Sequence, residues 1–140
     1  MNMKAIGNSF KKISIERKSE PQDKKININT DVQVKNVKKQ TTDIFKDKDT
    51  FIIDYEYKIN YEPNMANILF TGSVVFLMED NEKELSKKVL EEWKKEKIPE
   101  DFKIPLFNVI FARCNLKALQ LEEYLNLPLH IPNPRISKQQ

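Results

Sequence analysis

Two residues in this 140-residue chain could serve as a nucleophile and its base: Cys114 and His130, each the single example of its type. A thiol attacks only when an electropositive, reachable setting turns it into a thiolate. Cys114 falls instead on the apolar side of a helical pattern, where cysteine behaves as a small inert hydrophobe. No cluster of histidine, cysteine or carboxylate has the spacing of metal ligands. With Gly7 and Gly72 as its two glycines, the chain has no loop that could cradle a phosphate. The carboxylates, Glu91-Glu92 and Glu122-Glu123 among them, are scattered between lysines as on wetted faces. The inventory predicts a protein that is not an enzyme and carries no metal and no cofactor.

What stands out is aromatic. Phe51, Tyr55, Tyr57 and Tyr61 would lie along one face of one strand. They can be core. They can also line a groove for an apolar peptide, together with Trp93 and the C-terminal Leu127, Leu129 and Ile131. Aromatic rings give large contact area at low entropic cost, which suits loosely specific binding.

The elements that must position these residues follow from periodicity. The last third of the chain is the organising stretch, residues 104–136. Pro105 is read as a first-turn residue, where its missing N–H costs nothing. Phe107, Ile110, Phe111, Cys114, Ala118, Leu121 and Leu125 then form a helical stripe, with Arg113, Lys117 and Glu123 off it. Beyond Asn126, Pro128, Pro132 and Pro134 force an extended strap that stays apolar at Leu127, Leu129 and Ile131.

Upstream the period is two. Phe10, Ile13 and Ile15 read as an edge strand within residues 8–18, after a frayed stretch 1–7 and before a turn at Glu20-Pro21-Gln22-Asp23. Ile26, Ile28, Thr30, Val32 and Val34 alternate with polar residues, so that sheet has one covered and one wet face. Residues 38–49 read as a polar connection anchored by Ile44 and Phe45. Phe51 to Tyr61 alternates again, and Glu62-Pro63-Asn64 turns the chain into Ile68–Met78, apolar on both faces. A shorter helix follows, capped by Asp80 or Asn81, with Leu85, Val89, Leu90 and Trp93 on its inner stripe. The expected fold class is α+β: a four-stranded antiparallel meander, then two helices packed on one face, then the proline-rich strap.

Composition narrows the class. Net charge is +3, from 24 basic and 21 acidic residues, which is too balanced to argue for nucleic acid. A lone cysteine excludes an internal disulfide and suits the cytoplasm. No apolar run approaches the ~20 residues of a membrane span, and no signal core opens the chain.

The C-terminal third carries a family resemblance. Residues 105–114, Pro-Leu-Phe-Asn-Val-Ile-Phe-Ala-Arg-Cys, are similar to the opening of the long helix in SecB-like protein-export chaperones. Residues 125–132, Leu-Asn-Leu-Pro-Leu-His-Ile-Pro, resemble the extended crossover that follows that helix. The resemblance implies a single SecB-like domain over residues 1–140, with 1–7 and 137–140 disordered. It also implies binding of unfolded or extended polypeptide and assembly as a dimer or dimer of dimers. The chain departs from the family in its charged helical segment 82–98, its end at Gln140 without a second helix and acidic tail, and its positive charge. The acidic surface is what the family presents to its translocase motor, so polypeptide holding carries over here and the export pathway does not. Branches serving toxin–antitoxin systems tolerate such drift.

Two functions of different class follow as expectations. One is an ATP-independent holdase with Phe51, Tyr55, Tyr57, Tyr61, Trp93, Leu127, Leu129 and Ile131 at its peptide site. The other is a non-enzymatic dimeric adaptor, or toxin–antitoxin-associated protein, docking one folded partner. Both expect a homo-oligomer, because one helix layer covers only one face of Ile68–Met78, leaving Val75 and Leu77 outward.

Overall fold

A computed structural model describes residues 3–19, 25–40, 48–79 and 82–131. Its elements are β1 (Met3–Arg17), β2 (Asn27–Gln40), β3 (Thr50–Glu62), β4 (Ala66–Met78), α1 (Lys83–Trp93) and α2 (Glu100–Tyr124). The expected turn at 20–23, the anchors Ile44 and Phe45, the caps Asp80 and Asn81, and everything from Pro132 onward lie outside the described residues. The class is α+β, a four-stranded antiparallel sheet followed by two helices.

The strand order is β1-β4-β3-β2. β2, β3 and β4 succeed one another as antiparallel neighbours, as the alternation predicted. β1 departs from a simple meander: it lies against β4, pairing Met3 with Met78 and Arg17 with Ala66. Local patterning cannot announce that pairing, because its partners are some fifty residues and more apart. Met3–Gly7, expected to fray, belong to β1. β2 runs on to Gln40, five residues past the expected strand, because a bulge at Lys35 resets its phase. Register passes from Val34↔Tyr55 to Asn36↔Asp54, so the next inward residue is Val37, which is buried.

One face of the sheet carries the core. Phe51, Ile53, Tyr55, Tyr57, Ile59 and Tyr61 of β3 and Ile68, Phe70, Val74, Phe76 and Met78 of β4 all point beneath α2. The other face is wetter, with ion pairs Lys11–Asp54 at 3.0 Å and Lys58–Glu56 at 3.1 Å. Of the outward apolar residues expected at an interface, Leu77 is buried and Val75 half-buried within the single chain.

α2 begins at Glu100, five residues before Pro105, with Pro99 extended at its N-cap. Glu100 and Asp101 occupy the first turn, where the helix dipole favours acids. Pro105 therefore sits inside the helix. Its missing N–H cannot serve the Asp101 carbonyl four residues back, and Asp101 is an exposed residue of the first turn, within reach of water. The buried residues of α2 are Phe102, Leu106, Ile110, Cys114, Ala118 and Glu122, each four after the last. Phe107, Phe111, Leu121 and Leu125 of the expected stripe flank this row, partly buried.

α2 runs along β3 in the same direction. Phe102 meets the Phe51 ring edge-on at 6.1 Å, and Glu122 meets the Tyr61 hydroxyl. Twenty helical residues at ~1.5 Å and ten strand residues at ~3.3 Å both span about 30 Å, which keeps the two elements in step. α1 covers the flank with Leu85 and Val89 buried and Leu90 and Trp93 partly so. Glu82 occupies its N-cap position. Among the described residues no helix is long and apolar enough to cross a membrane.

Candidate functional site

The aromatic row is interior. Phe51, Tyr55, Tyr57 and Tyr61 are all closed off from solvent, with Tyr57 stacked on Phe70 at 5.5 Å and edge-on to Phe111. Their rings are core, the first of the two readings the sequence left open. The three tyrosine hydroxyls each find partners, Tyr55 on β1 and α2, Tyr57 and Tyr61 on α2 and the strap. Tyr55 donates to Asn8 Oδ1 at 3.3 Å and lies 3.7 Å from Cys114 Sγ. Tyr57 donates to Asn115 Oδ1 at 2.6 Å. Tyr61 donates to the Glu122 carboxylate and lies 2.8 Å from the Pro128 carbonyl oxygen. Burial raises the pKa of all three hydroxyls well above the ordinary tyrosine value, so they act as neutral hydrogen-bonding groups.

The strap reverses off α2 through Asn126, which takes a positive φ of 54°. Leu127 is buried against the core, and its N–H donates to the Glu122 carbonyl at 2.8 Å. Arg17 of β1 donates to the Leu125 carbonyl at 2.8 Å, closing the helix end. Leu129 is half-buried and Ile131 exposed. Between strap and helix lies an open groove of about 530 Å³, walled by Leu127 and Leu129 on one side and by Leu116 and Leu119 on the other. Its polar margin is Gln120, Glu123 and Asn126.

Trp93 is elsewhere. It lines a separate cavity of about 670 Å³ with Val34, Ile98 and Phe107, between β2 and the two helices. The structure thus brings Leu127 and Leu129 together at one groove, leaves Ile131 at the strap's end, sets Trp93 apart and places the four strand aromatics beneath α2.

Sequence reading missed the residues that shape the groove from the helix side, Leu116 and Leu119, and it misplaced Glu122. That glutamate was read as a wetted surface residue, yet its side chain has no exposure at all. The spacing held the signal: steps of four from Phe102 through Ala118 land on 122. Its carboxylate accepts from the His130 ring Nδ1 at 2.7 Å and the His130 backbone N–H at 3.1 Å. The His130 Nε2 lies 3.1 Å from Asn115 Oδ1 and 3.2 Å from the Tyr57 hydroxyl. Cys114 and His130 do not meet as a nucleophile and base. Each is bound to other partners, and burial pushes the Cys114 thiol up to about 11.

No protein-family model matches the chain, and no curated protein matches it by sequence. Its fold is similar to that of a SecB-like chaperone from Mycobacterium tuberculosis, solved in complex with a ChAD peptide from the HigA1 antitoxin. The two share 10% identity over 99% of this chain and 93% of that one, with a TM-score of 0.53. The likeness is one of fold.

Proposed function

We propose that this protein is an ATP-independent chaperone, a holdase, that holds extended unfolded polypeptide in the groove between the strap and α2. The observation that carries the reading is the groove itself: Leu127 and Leu129 stand opposite Leu116 and Leu119 in an open trough whose margin is polar. The likeness in fold to a chaperone solved with a peptide supports it. Apolar side chains of a client would enter the trough while its main chain stays against water. Such binding asks for no catalysis, cofactor or metal, and we take the protein to act in the cytoplasm.

We further propose that copies of the chain associate through the outward side of α2. Ile104 and Tyr124, away from the groove, are 59% and 86% exposed there, and no charge interrupts the row of every fourth residue from 104 to 124. Large apolar side chains exposed this far are normally covered by a partner. A second copy is the occupant that needs nothing beyond this sequence. The adaptor alternative would give that face to a folded partner instead.

The deciding experiment substitutes Leu129→Ser together with Leu119→Ser, leaving the more deeply buried Leu127 in place. A fluorescein-labelled, reduced and carboxymethylated α-lactalbumin, which cannot fold, is titrated against both forms without ATP. Each leucine can contribute about 1.5–3 kcal/mol on full burial, so affinity should fall more than about tenfold while circular dichroism is unchanged. Equal affinities would overturn the groove.

A further inference from the structure

Glu122 occupies a place where the helix pattern calls for an apolar side chain, and its carboxylate is completely shielded from water. A carboxylate so placed is costly unless its oxygens are all engaged. Here they are, and the donors come from two elements: the Tyr61 hydroxyl from β3, and the backbone and ring of His130 from the strap. The Glu122 carbonyl takes the Leu127 N–H as well. On the far side of the imidazole, Asn115 and Tyr57 hold Nε2, and the side chain of His130 is 2% exposed. The Tyr61 hydroxyl also lies 2.8 Å from the Pro128 carbonyl oxygen.

These contacts fix more than the strap's attachment. With His130 held inward at Glu122, its neighbour Leu129 is left half-buried at the groove, while Leu127 is buried at the groove's base. A slip of one residue would bring Leu129 against a buried carboxylate and put His130 in the trough. Apolar packing alone tolerates such sliding, whereas directional hydrogen bonds to one carboxylate do not.

We infer that Glu122 is a positioning residue for the polypeptide site: it locks the register of the strap and so holds Leu127 and Leu129 as the groove's wall. The inference rests on the groove being that site, but the lock can be tested apart from it. Glu122→Gln replaces one acceptor oxygen with a donor that faces the donors already present. Tyr61→Phe removes a single donor and keeps the ring. Ile110→Val, in the same buried row but away from the lock, serves as the comparator for a general loss of stability.

Hydrogen exchange is read at the His130 amide, bonded to the Glu122 carboxylate, at the Leu127 amide, bonded to the Glu122 backbone carbonyl and protected while the strap stays docked, and at Ile59 and Phe70 in the central strands. Losing a hydrogen bond to a charged group should speed exchange at the two strap amides by about tenfold or more in E122Q and Y61F, with the strand amides moving less than about threefold. Ile110→Val should move both sets together. Strap amides in E122Q that speed up no more than the strand amides would overturn the lock. The labelled α-lactalbumin should also dissociate from E122Q about tenfold faster. Should the natural chain bind none of that probe, the holdase reading falls, and the exchange comparison still decides the lock.

Discussion

Tyr55 on β3 reaches across β4 to Asn8 on β1, and it can do so because residue 72 beneath its ring is glycine. A Cβ at Gly72 would stand 2.7 Å from the Tyr55 hydroxyl oxygen, 2.8 Å from its Cζ and 2.5 Å from the Ser9 carbonyl oxygen. The hydroxyl, 3.3 Å from Asn8 Oδ1, ties the edge strand to the centre of the sheet.

Gly72→Ala should therefore destabilise the fold. The ring could swing aside, but the Ser9 oxygen is backbone and belongs to a paired strand. Overpacking of this kind costs about 1–3 kcal/mol. A lowered urea midpoint with an unchanged slope would record it, and an unchanged midpoint would contradict it.

Stability should fall in alkali. Burial pushes the Cys114 thiol up from 9.0 to about 11, so the unfolded chain gives up that proton first. The folded state then holds the extra proton, and stability that is full below pH 9 declines between about pH 9 and 11. The three buried tyrosines, all shifted upward, extend the decline to higher pH. Urea midpoints from pH 7 upward test this, and Cys114→Ala should flatten the first part of the fall. Cys114→Ser should keep polypeptide binding at a cost of about 1–2 kcal/mol.

Arg17→Ala should loosen the end of α2. The guanidinium donates to the Leu125 carbonyl at the negative end of the helix dipole, a half-buried and charge-assisted bond. Its loss should cost about 1–3 kcal/mol, seen as a lower melting temperature. Arg17→Lys should recover part of it, since an ammonium keeps the charge but not the fork.

Ile104→Lys should shift the assembly toward a 16.6 kDa monomer by light scattering, because it places a charge on the outward row without touching the groove. Val75→Glu should shift it much less, given how far that residue is already covered within the chain. The reverse ranking would move the interface back to the sheet.

How much could be read from sequence varied with the distance over which the cause acts. The inward row from Phe51 to Tyr61 was legible because one covered face of a sheet imposes a period of two. The stripe of α2 was legible for the same kind of reason, though its start was displaced by treating Pro105 as a first-turn residue when Pro99 fills the cap. The pairing of β1 with β4 depends on contacts between distant segments and leaves no local mark. Glu122 and His130 are only eight residues apart, but they meet because the chain doubles back at Asn126, and an asparagine does not by itself declare a positive φ. The strap side of the groove was expected from Leu127 and Leu129, but its helix wall escaped notice, since Leu116 and Leu119 lie off the core-facing stripe of α2.

The far-edge position of β1 sets the order in which the molecule can be made. On a ribosome the first strand emerges with nothing to pair with, because its template, β4, ends at Met78. β2, β3 and β4 can zip together through successive neighbours as they appear, while closing β1 onto them fixes the longest loop in the sheet. Until it docks, β4 presents a long row of unpaired amides and carbonyls beside Phe70 and Phe76, the kind of edge that recruits strands from other chains. A nascent copy of this protein is therefore, for that interval, itself a chain in need of protection.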